Sequence, residues 1–233
     1  MNQSTSMLST LGALAGVAFA FFFFGSVFIF DPLREATDQE ILDHWSDTGK
    51  LRDNIISMYF LVIAAPLFFV FLAGLCKRLR SAGELGESWT GVVFGAGVAF
   101  TALLTVTAVS RGVIAQSVRF TDEPLPGVDT LRYATALSQA AFAMGAVPLV
   151  TVAIAVASAI VIRTGVLARW LGWLGLVVTA GSLALIGLMA GAFAIPLITL
   201  WTVAASFLLW RTRNAVASEN AGRPAIGSVV ASR

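Results

Sequence analysis

Apolar residues along this chain gather into runs of about twenty, separated by short polar segments rich in charge, Pro and Gly. Runs of that length match the roughly 20 helical residues needed to cross a bilayer. The pattern predicts six spans, at about 7–30, 55–76, 90–117, 131–162, 170–189 and 193–210. The fourth is longer than a crossing needs and is expected to tilt or protrude. The first has neither a basic leader nor a short core, so it is expected to be retained rather than cleaved. The fold class that follows is all-α: a polytopic transmembrane helical bundle spanning 1–210. A disordered cytoplasmic tail is expected over 211–233.

The most polar stretch follows the first run. Thr37-Asp38-Gln39-Glu40 has the form of a capping box, and Asp38 and Glu40 suit the positive end of a helix dipole. A short amphipathic helix is predicted from about Asp38 to Thr48, stopped at Gly49. Ile41, Leu42 and Trp45 would lie on its apolar side.

Lys77, Arg78, Arg80, Arg163, Arg169, Arg211 and Arg213 fall at one end of the predicted spans. Arg34, Lys50, Arg52, Arg119 and Arg132 fall at the other. The positive-inside rule then puts both termini in the cytoplasm. Trp89, Trp170, Trp173 and Trp210 would form the inner aromatic belt, and Tyr59 and Tyr133 would approach the outer one.

Composition sharpens the class. Hydrophobic residues make up 58% and charged residues 12% of the chain, and its mean hydropathy is +0.86. Too few charges are present to cover a water-facing surface. The net charge of +2 is small, which argues against a nucleic-acid partner. Cys76 is the one cysteine and His44 the one histidine. Internal disulfides, bis-His haem and zincin chemistry are therefore excluded. Lys50 and Lys77 flank the apolar runs, so neither suits a buried Schiff base, and no Walker A pattern is present. No cofactor is implied.

Ala15-Gly16-Val17-Ala18-Phe19 recurs as Ala96-Gly97-Val98-Ala99-Phe100, and Pro66-Leu67 as Pro148-Leu149 and Pro196-Leu197. This spacing hints at hairpins related by a parallel repeat, against chance within a biased composition. Pro66, Pro148 and Pro196 would kink their helices, each freeing a carbonyl one turn earlier. The glycine pairs Gly12/Gly16, Gly91/Gly95 and Gly187/Gly191 permit close helix contact, or simply reflect how common Gly is in membrane helices.

The chemistry-bearing candidate is Arg111, a cation within the third apolar run. Such a residue either snorkels or pairs structurally, or it holds an anionic group in a pocket. Ser110, Gln116, Ser138 and Gln139 lie at a comparable depth. They would line an outward polar vestibule with it, or bond between helices. Glu40, Asp43, His44 and Asp47 offer a weak divalent-metal set, for which Glu40, His44 and Asp47 are the candidates. A solvated acidic face explains the same residues without a metal.

The segments Ala36-Thr37-Asp38-Gln39-Glu40-Ile41, Asn54-Ile55-Ile56-Ser57 and Leu171-Gly172-Trp173-Leu174-Gly175 resemble an uncharacterised family of bacterial six-helix integral membrane proteins, a domain of unknown function. The resemblance implies six helices in the bacterial cytoplasmic membrane and brings no activity. The expected function is a ligand-binding or transport-like bundle taking a small or amphiphilic ligand from the outer side. The alternative is a structural or regulatory subunit, with a membrane protein partner or a second copy against its glycine faces. A metal-dependent membrane enzyme comes third. Membrane lipid is a partner under all three.

Overall fold

The computed structural model describes residues 3–29, 36–121, 123–188 and 191–221, with side chains from Thr10 to Arg211 except Ala192. Asp31, Arg34, Asp122, Met189, Ala190, Arg213's side chain and residues 222–233 thus lie outside the description. Among the described residues the fold is all-helical, without strands. The helices are α1 (Gln3–Ile29), α2 (Asp38–Ser46), α3 (Thr48–Arg80), α4 (Glu84–Phe120), α5 (Val128–Ala140), α6 (Val147–Thr164), α7 (Arg169–Gly187) and α8 (Ile195–Ala221). A π-helical turn, Ala141–Ala146, joins α5 to α6, and a 3₁₀ turn, Gly191–Ala194, precedes α8.

Five helices are long and apolar enough to cross a membrane, counting Val128–Thr164 as one. The apolar part of α8, Ile195–Arg211, is shorter. Helices α1, α3, α4, α6, α7 and α8 pack as a ring in that order, with α8 returning to α1. An aromatic column fills one side of it. Phe19 stacks on Phe23 with centroids 4.9 Å apart, and Phe68 meets Phe100 edge-on at 4.7 Å. The outer surface is apolar too: Phe21, Phe28, Val177, Leu183, Leu200 and Phe207 are all exposed. A ring that buries one apolar face and exposes another requires an apolar solvent around it.

Several boundaries move, each for a local reason. Gly49 does not stop α2. The stop is Asp47, in extended conformation, whose carboxylate accepts from the N–H of Gly49 (2.6 Å) and Lys50 (3.1 Å) and so starts α3 at once. The second span therefore begins two polar turns before residue 55. The connection between the runs predicted at 55–76 and 90–117 shrinks to Ser81–Gly83. Gly83 takes a φ of +80°, and Glu84 and Glu87 favour the helix start that follows. Helix α8 continues past Trp210 to Ala221, so the first part of the predicted tail is helical.

The three prolines are not equivalent, which weakens the hairpin repeat. Pro66 lies within an unbroken α3. Pro148 follows the π turn: its ring crowds the carbonyl of Met144, and the wider turn over Ala141–Ala146 accommodates it. Pro196 is the second residue of α8, where its missing N–H is not needed, so it begins a helix rather than kinking one. The pentapeptide likeness has a packing counterpart. Gly16 faces Phe71 and Gly97 faces Leu72, so α1 and α4 both use it against neighbouring positions of α3.

Candidate functional site

The end of the ring at which α3 begins is closed by α2. Its capping box forms as the sequence predicts: the Glu40 N–H donates to Thr37 Oγ1, and the Glu40 carboxylate accepts from the Thr37 N–H at 2.7 Å. Ile41 and Trp45 are buried with Leu51, Ile55, Ile114, Ala115 and Leu131, a small core separate from the main one. Arg132 of α5 donates to the Ala36 carbonyl at 3.2 Å and to Asp38 at 2.5 Å, tying down the start of α2.

This cap separates the proposed metal candidates. The Glu40 carboxylate is held by the Thr37 N–H and then by its hydroxyl, which lower its pKa. Asp47 is held below its ordinary value by the N–H groups of Lys50 and then Gly49, with Lys50 and His44 charges assisting. His44 is buried, with Nε2 3.4 Å from Asn54 Nδ2. The three residues have three different partners. Among the described residues no group of three or more His, Cys, Asp or Glu side chains is placed to hold a metal. Asp43 accepts from Gln39 at 2.8 Å on the exposed face.

Beneath the cap lies Arg111, one turn inward of Ile114 and Ala115. Its guanidinium turns into the helix packing: NH1 donates to Ser57 Oγ at 3.0 Å. Ser57 Oγ donates in turn to the Ser26 carbonyl, also at 3.0 Å, and both serines are buried. That carbonyl lies in the last described turn of α1. The chain Arg111–Ser57–Ser26 ties α4, α3 and α1 together. A neighbouring contact fixes α4 against α3, since Gly112 leaves no room for a methyl beside Met58.

The other predicted vestibule residues divide around this chain. Ser138 Oγ donates to the Thr107 carbonyl at 3.3 Å and is fully buried, on the α5 side of α4. Gln116 donates to Tyr59 Oη at 3.3 Å, on the α3 side. Ser110 and Gln139 are half-buried. Arg111 thus meets Ser57 of α3. Ser26, Ser57, Asn54, Tyr59 and Thr107 are the partners that sequence reasoning missed. One signal was available: Asn54 and Ser57 are three residues apart and share a helix face.

Farther in, the ring is dry. A void of about 10 Å³ between α3, α4, α6 and α8 is lined by residues such as Phe68, Phe71, Val93, Val150 and Trp201. That is room for about one water, with no polar lining to hold it. Buried hydroxyls also lie away from the α2 end, among them Thr151, Ser158, Thr202 and Ser206. Compared with protein-family models, curated proteins and solved structures, the chain matches none.

Proposed function

We propose that this chain is a six-span bundle with both termini cytoplasmic, and that it binds an anionic amphiphile from the outer leaflet beneath α2. The observation that carries this reading is the inward-turned Arg111, hydrogen-bonded to Ser57 in the outer third of a mostly apolar bundle. A cation at that depth attracts a carboxylate or phosphate, while the surrounding helices suit an acyl chain. The cap has a one-residue hinge at Asp47 and an exposed tether at Arg132–Asp38, and exposed ion pairs hold by only about 0–1 kcal/mol. The short apolar helix Ile195–Arg211 supplies the sixth crossing in this reading.

The test is the melting temperature of purified protein in neutral detergent with oleate or oleyl alcohol added. Oleate alone should stabilise the wild type, and Arg111→Gln should abolish the shift while remaining folded. An equal shift in both proteins removes Arg111 from the site.

A second reading, a subunit that packs against a membrane partner, is favoured by one observation. Added methyl groups on Gly91 and Gly95 of α4 would meet nothing within 4 Å, whereas Gly12 and Gly16 are already used inside the ring. A stoichiometric partner retained in mild detergent, and lost in Gly91→Leu, supports it; a lone chain argues against it.

A further inference from the structure

We infer that the arginine-rich end of the bundle carries a binding site for one anionic phospholipid, centred on Arg78 in the last turn of α3. The inference rests on the chain being membrane-embedded, but on neither the threading nor Arg111.

Arg78 is half-buried, and its Nε is buried without a hydrogen-bond partner among the described residues. It lies four residues beyond Gly74, so it shares the side of α3 that faces α1, where Gly12 packs closely on Gly74. A buried guanidinium N–H needs an acceptor, and the described residues supply none there. Lys77 and Arg80 flank it and are exposed. The ion pairs among the described residues, Arg52–Asp53 and Arg132–Asp38, both lie at the opposite end. Among the described residues this end is net positive, with Glu84 and Glu87 its two carboxylates.

The depth is that of a headgroup. Trp89, Trp170, Trp173 and Trp210 are about half exposed at the same end, where indoles mark the boundary between acyl chains and water. A phosphodiester there can accept from Nε and a neighbouring Nη of Arg78 as a fork, with Lys77 and Arg80 adding charge. Free phosphate offers the same oxygens but lacks the chains that would hold it at this level.

The test is native mass spectrometry of the full chain in neutral detergent, titrated with phosphatidylglycerol, phosphatidylcholine or glycerol phosphate. One phosphatidylglycerol should bind in preference to phosphatidylcholine, and glycerol phosphate should not displace it. Arg78→Gln should weaken that binding about tenfold, roughly the loss of one charge-assisted hydrogen bond. Arg111→Gln should leave it unchanged, separating this site from the one under α2. Should Arg78→Gln not fold, Arg78→Lys keeps the charge, loses the Nε donor and should bind more weakly than wild type. Equal retention of the two lipids, wild-type binding by the Arg78 variants, or displacement by glycerol phosphate overturns the inference.

Discussion

At the scale of single residues, hydrogen-bonded ends decide the outer architecture. Ser57 both accepts from Arg111 and donates to the Ser26 carbonyl. Ser57→Ala removes both bonds from a buried setting and should destabilise the protein by about 1–3 kcal/mol, read by denaturant unfolding in detergent. Glu40 and Asp47 act at the surface. Their folded pKa values lie below the ordinary ones, so both caps contribute fully at neutral pH and are lost as pH falls through the folded values. Amide exchange in α2, corrected for its intrinsic pH dependence, should quicken below about pH 4. Unchanged protection there would show that the buried Ile41 and Trp45 alone hold the helix. The capping box was legible from the sequence because Thr37 and Glu40 are three residues apart. The Arg111–Ser57 bond was not, because its partners are far apart in the chain and only helix rotation brings them together.

At the scale of elements, apolar runs located the helices but not their ends. Helices α3 and α4 extend into polar turns, at Thr48–Asn54 and Glu84–Ser88, because caps and backbone bonding, not apolarity, decide where a helix begins. Proline was equally ambiguous: the same residue sits in a continuous helix at Pro66, beyond a π turn at Pro148 and in a first turn at Pro196. Glycine pairs divide by what faces them. Gly16→Val would drive a side chain into Phe71 and Ser206 and should cost about 1–3 kcal/mol. Gly91→Val meets open space and should leave the isolated chain's packing intact, apart from the small helix-propensity change. Equal losses from the two, measured by thermal unfolding in detergent, would mean that the α1–α3–α8 contact is not as close as described.

At the scale of the whole molecule, the ring is mostly apolar inside and out, its charged groups gather toward its two ends, and the polar groups buried between are mainly hydroxyls such as Thr151, Ser158 and Ser206. That distribution was legible from hydropathy alone, because it is a property of composition and run length. The order of the helices around the ring was not, since no local pattern records which apolar face meets which. The direction of threading rests on the basic residues of the short connections. The central claim is that the α2 end and the Ser81–Gly83 end lie on opposite sides of a membrane. Cys76, the one native cysteine, is buried and gives a quiet background for labelling. Exposed Ser46 and Ser88 mark the two ends. With a membrane-impermeant maleimide on intact cells, Ser46→Cys should label readily and Ser88→Cys only after lysis. The reverse pattern would invert the threading and still keep the two ends apart; equal labelling of the two before lysis would contradict the account.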